Sequence, residues 1–227
     1  MAKRKRRFYM KRIRIKKEFL PSINTEEYFI EAIQFCRILS SIQYNNVIYT
    51  MLSERKDFDT CLQLNLIINH AAILYEGIKK FNTLTERLKK LESYKNNLEK
   101  IEKISNGDNI FIDEVIYNIR RKVAFHFDKH VIAQTLGEYV SNCICEDEDI
   151  IFIEGKTDTK KDMRFLLADN INLRYVLGLL KDKDSSYEEK FKILARELLE
   201  LSKIFCEILE EIIPEMVEDY CELIEQE

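Results

Sequence analysis

Phe191, Leu194, Leu198, Leu201, Phe205, Ile208 and Ile212 follow one another at alternating steps of three and four residues, three heptads without a polar interruption. That spacing puts all of them on one stripe of a helix, whereas a strand would scatter them over both faces. So long an apolar stripe has to be covered, and the chain offers the covers. Tyr28, Ala32, Phe35, Leu39, Ile42, Asn46 and Tyr49 repeat the stepping, with Asn24 and Thr25 as suitable cap residues before them. Thr60, Leu64, Ile67, Ala71, Leu74, Ile78 and Phe81 repeat it again. Leu62, Leu66, Ile68 and Ile73 make this second helix apolar on most sides, so it is expected to be the most buried. Ile112, Ile116, Ile119 and Val123 mark a further helix over about 110–127. Pro214 should bend or end the last helix.

Five glycines and two prolines in 227 residues leave a β-rich fold short of turn residues, while helices joined by short polar loops need few. The expectation is an all-α fold, an antiparallel four-helix bundle forming a single domain over 21–227 behind a basic arm at 1–20. Two stretches differ from the four helices. Thr85–Ile104 has a thin apolar seam (Leu84, Leu88, Leu91, Leu98, Ile101) among Lys, Glu and Asn, which reads as an exposed helix ending at 105–108. Short apolar runs at Ile150–Ile153 and Arg164–Leu167 flank a charged loop and read as a small β-hairpin inserted near 150–167. No apolar run approaches the roughly 20 residues of a membrane span, and the basic start leads into more charge, not a signal-peptide core. A soluble, cytoplasmic protein without membrane contact is expected. The six cysteines are irregularly spaced and four lie inside apolar helical patterns, so free thiols in a reducing compartment are expected.

Charge is strongly polarised. Residues 1–17 hold ten bases and no acid; taking them from a net charge of −4 leaves −14 for the rest, and residues 207–227 hold nine acids and no base. An arm with Lys3, Arg4, Lys5, Arg6 and Arg7 ahead of Phe8 and Tyr9 suits a phosphate backbone, through counterion release and stacking. The same arm could instead fold back on the acidic tail. Met10 is an alternative start that would remove five of the ten bases.

The densest set of unusual residues is Ile119-Arg-Arg-Lys-Val-Ala-Phe-His-Phe-Asp128. On an α-helix Arg120 and His126 border one apolar stripe from opposite sides, about 120° and about 9 Å apart. Asp113, seven residues before Arg120, shares its side and could hold the guanidinium. In a structural role, Arg120 pairs with Asp113 and His126 is a hydrogen-bonded rim residue.

This string resembles the HEPN family, the higher-eukaryote and prokaryote nucleotide-binding domains, in its abortive-infection-like branch. There the pattern is close to Ile-Arg-Asn-Lys-x-Ala-Phe-His-Tyr-Asp, which puts the family arginine on Arg120 and the family histidine on His126, with Phe127 and Asp128 in their places. The resemblance implies a bundle that forms a homodimer, with two arginine–histidine pairs facing one cleft, and RNA cleavage without metal or other cofactor. It implies catalytic roles for Arg120 and His126; beside them Arg121 and Lys122 are expected to contact RNA, and Asp113 and Asp128 to support the pair. A toxin or phage-defence effector with an antitoxin or regulatory partner follows from the same likeness. Arg121 stands where the family has a polar residue, usually asparagine; that adds a cation and removes an amide. Many members of the family do not cut RNA, so a non-catalytic module binding RNA, nucleotide or a partner is the alternative.

Rival constellations are weaker. His126 and His130, four apart, precede Cys143 and Cys145 by a spacing unlike the usual zinc patterns, and no metal site is expected. His70 and Asn69 interrupt an apolar helix and need partners, either in the core or along the groove of the neighbouring helix. No glycine-rich phosphate loop or nucleophile triad is present in the sequence.

Overall fold

The computed structural model describes residues 12–53, 60–105, 109–124, 128–146, 166–181 and 185–224. It is all-α apart from one two-stranded ribbon. The order is β1 (Arg12–Ile15), α1 (Glu27–Ser53), α2 (Thr60–Thr83), three short helices α3 (Thr85–Leu88), α4 (Glu92–Asn96) and α5 (Leu98–Ile104), a widely wound helix over 110–124, α6 (Lys129–Glu146), α7 (Leu166–Gly178), α8 (Tyr187–Val217) and β2 (Cys221–Ile224). No helix among the described residues is long and apolar enough to cross a membrane.

α8 is the spine. A capping box starts it: the Ser186 hydroxyl accepts from the Glu189 N–H, while the Glu189 carboxylate accepts from the Ser186 N–H. Its heptad residues Leu194, Leu198, Leu201, Phe205, Ile208 and Ile212 are all buried, packed against α1, α2, α4 and α5. The helix continues past Pro214 to Val217, so the proline does not end it at once. On α1 and α2 the buried residues are those of the expected stripes, including Ala32, Phe35, Ile42, Leu64, Ala71, Leu74, Ile78 and Phe81. Gly77 sits at a close approach of α1, α2 and α8: a Cβ there would lie 2.7 Å from Phe205 Cε1 and 2.8 Å from Ile38 Cγ2. Glycine is required because any side chain would push the three helices apart.

One stretch departs from expectation. Thr85–Ile104 is broken into short helices, and most of its seam is not exposed: Leu84, Leu88 and Ile101 are core residues together with Tyr94 and Ile104, while Leu98 is exposed. The breaks are stabilised from α8. Glu215 accepts the N–H groups of Glu92 and Ser93, both at 2.8 Å, and the Glu211 carboxylate accepts from Asn97 Nδ2 at 2.7 Å. The hairpin expected near 150–167 lies outside the described residues except for Leu166 and Leu167, which open α7 instead. The two-stranded ribbon seen joins the ends of the chain, β1 antiparallel to β2 with Arg14 opposite Glu222. There the arm folds back on the acidic tail: Arg14 pairs with Glu222 at 2.7 Å, and Lys16 Nζ donates to the Asp219 carbonyl at 2.7 Å. Phe19 and Phe29 hold Tyr220 between them edge-on, at 5.2 and 5.7 Å.

Candidate nucleic-acid interface

The helix over 110–124 carries the ten-residue string as far as Ala124. Asn109 starts it, its side-chain oxygen accepting from the N–H groups of Phe111 (3.1 Å) and Ile112 (3.3 Å). Phe111–Ile116 and Ile119–Ala124 are both π-wound, with i→i+5 bonding in place of i→i+4. Wide turns of this kind are rare and concentrate at functional sites. Ile112, Val115, Ile116, Ile119 and Val123 are buried, and the second π segment packs along α2. A π turn advances fewer degrees per residue than an α turn, so the wheel drawn for an α-helix does not hold here. Arg120 reaches across to α2, its Nε 2.6 Å from Glu76 Oε1, with both side chains partly exposed.

Beside that pair lies an open groove of about 480 Å³, lined by Tyr75 and Lys79 of α2, by Tyr117, Arg120, Arg121 and Lys122 of the wide helix, and by Asp128. Four cations face one acid along its walls. Lys79 and Arg121 make no ion pair with the described residues. Arg121 Nη1 donates to the Tyr117 hydroxyl at 2.7 Å, and its guanidinium carbon sits 5.7 Å from that ring's centre. The Tyr75 and Tyr117 rings meet at 5.6 Å and 51°. Burial raises the Tyr75 hydroxyl pKa, Tyr117 adds to the rise, and the Arg120 charge opposes it. Asp113 acts on the same hydroxyl, so it belongs to this electrostatic neighbourhood although the Arg120 ion pair runs to Glu76.

Asp128 closes the groove and opens the next helix. Its carboxylate accepts from Lys122 Nζ and from the N–H groups of His130 (2.9 Å) and Val131 (3.4 Å), the first turn of α6. The Lys122 hydrogen bond, chiefly, and these two N–H donors hold its pKa down at about 2. Lys122 is thus fixed over the groove by the residue that caps α6. His126 lies outside the described residues, between Ala124 and Asp128, and Lys3, Arg4, Lys5, Arg6 and Arg7 lie outside them too.

The other candidate residues take structural places. His70 is buried, its Nε2 hydrogen-bonded to Ser202 Oγ of α8, and Ser202 in turn donates to the Leu198 carbonyl. Burial lowers its pKa to about 4, so it is a neutral core residue away from the groove. Cys143 is buried and Cys145 exposed, and His130 begins a separately capped helix, so the zinc spacing is not assembled among the described residues. Lys79 and Tyr117 were missed in the sequence. The available signal was that Tyr75 and Lys79, four apart on α2, flank its buried stripe on one side. Comparisons of the chain with protein-family models, with curated proteins and with solved structures find no match.

Proposed function

We propose that the chain is a metal-independent endoribonuclease of HEPN type, acting on RNA as a homodimer in which Arg120 and His126 serve the scissile phosphate, with a toxin or defence role. The observation that carries this reading is the groove: Lys79, Arg121, Lys122 and two tyrosines gathered with Arg120 and Asp128, both members of the family-like string that fall within the described residues. Lysine and arginine along a groove neutralise phosphates, and partly exposed aromatic rings stack bases without regard to sequence. The chemistry needs little else. The 2′-oxygen attacks phosphorus and the 5′-oxygen leaves; an imidazole with an ordinary pKa near 6.5 takes the first proton or supplies the second. The Arg120 guanidinium offers a rigid fork of donors to the phosphoryl oxygens as their charge grows.

A second reading is favoured by one contact. Glu76 already holds Arg120, which suits a non-catalytic module that grips RNA through Lys79, Arg121 and Lys122 alone. Binding and cleavage of a labelled single-stranded RNA, measured on the same preparations, separate the two. Arg121→Ala and Lys79→Ala should each weaken binding and lower the salt slope by about 0.7 per lost phosphate contact. Under the nuclease reading, His126→Ala and Arg120→Ala abolish cleavage and keep most of the binding. Wild-type protein that binds RNA and leaves it intact supports the module; unchanged binding in both groove variants rejects the groove.

A further inference from the structure

A second polar cleft, of about 330 Å³, lies between α6, α7 and α8. Arg174 of α7 is its centre. Its guanidinium carbon is 4.4 Å from the centre of the Tyr139 ring and 5.4 Å from that of Tyr187, and its Nη1 donates to the Tyr187 hydroxyl at 3.1 Å. Tyr139 is buried, so one wall of this clamp is fixed by the core. Lys190, Gln134 and Asn142 line the same cleft, and its one acid, Glu138, accepts from Gln134 Nε2 at 3.2 Å. No ion pair to Arg174 occurs among the described residues. An arginine fork held between aromatic rings, with spare donors and no carboxylate partner among the described residues, is pre-organised for an oxyanion.

The cleft lies near the first groove. Tyr175 lines it, and while burial is the main cause of that hydroxyl's raised pKa, the Asp128 carboxylate of the groove adds to it. α6 links the two places, and from Asp128 to Tyr139 it rises about 16 Å. A strand kept stacked at the duplex spacing of about 3.4 Å per nucleotide places about five phosphates along that span.

We infer that Arg174 and Lys190 form a second phosphate-binding subsite, which receives the same RNA strand about five nucleotides from the groove at Arg121 and Lys122. This rests on the RNA reading above. It makes affinity depend on strand length, because a short strand fills one subsite and a longer one reaches both.

The test uses full-length protein and fluorescent 2′-O-methyl oligoribonucleotides, which lack the attacking hydroxyl, in short (about 4-nucleotide) and long (about 12-nucleotide) forms. Anisotropy titrations at low and moderate salt give affinity and salt slope. Arg174→Gln and Lys190→Gln should each weaken the long strand about five- to tenfold, lower its salt slope by about 0.7, and leave the short strand unchanged. Arg174→Lys, which keeps charge without the fork, should fall between. Lys190 makes no ring contact with the clamp, so Lys190→Gln keeps the test valid if Arg174→Gln disturbs folding. Wild-type binding of the long strand by both glutamine variants overturns the subsite and leaves the groove standing. Binding of neither strand by wild-type protein overturns the RNA reading and the subsite with it. If phosphorus NMR shows inorganic phosphate binding that Arg174→Gln abolishes, while the long strand ignores that variant, the cleft takes a free anion and the strand track is overturned.

Discussion

Lowering the pH from 7 to 5 should destabilise the protein by about 2 kcal/mol through His70 alone. In the unfolded chain this imidazole titrates at its ordinary 6.5; in the folded protein burial between α2 and α8 lowers it to about 4. The folded state therefore binds fewer protons between those values. Its stability is full above pH 6.5 and is lost as the pH falls through the window from 6.5 to 4. At 1.36 kcal/mol per pKa unit the loss reaches about 3 kcal/mol near pH 4. For a chain of this size about 2 kcal/mol corresponds to a Tm drop of about 4–8 °C at pH 5. His70→Gln keeps an N–H for Ser202 and cannot titrate, so thermal melts of wild type and variant across this range isolate the effect. Wild type should lose Tm more steeply than the variant below pH 6.5. Parallel curves would refute the buried, neutral histidine and the core position given to it.

Gly77→Ala should cost about 1–3 kcal/mol by overpacking against Phe205 and Ile38, even though alanine is about 1 kcal/mol the better helix former; a denaturant melt reads this, and an unchanged midpoint would mean the helices can move apart freely. Deleting residues 2–11 should weaken RNA binding and flatten its salt dependence while leaving Tm unchanged, whereas deleting 2–17 should also lower Tm because β1 and its ion pair to Glu222 are lost. Mixing Arg120→Ala with His126→Ala chains should restore part of the cleavage if each half-site draws on both copies; no recovery would refute the composite site.

The stripes of α1, α2 and α8 were legible because burial repeats with the helical period over many turns, so Phe35, Leu74 and Phe205 report their own position. The breaks in 85–104 were not legible. They depend on Glu211 and Glu215, more than a hundred residues away, and local propensity there favours one continuous helix. The ribbon was hidden for the same reason: Arg14 and Glu222 are 208 residues apart, and only the opposite charges of the two chain ends hinted at it. At the candidate site the string 119–128 marked the place, but not its shape. The ion pair of Arg120 with Glu76 of α2 was not legible either, because the π winding and the packing of α2 that bring them together leave no periodicity in the string. Tyr75 and Lys79 come from another helix, and only packing brings them to Arg121.

Cleavage of RNA in excess chelator tests the central claim most directly. Purified protein, structured and single-stranded RNA and EDTA should give fragments ending in a 2′,3′-cyclic phosphate, the product of attack by the neighbouring hydroxyl, and Arg120→Ala and His126→Ala should give none. Intact RNA under these conditions, or cleavage that appears only when a divalent ion is added and persists in both variants, would contradict it.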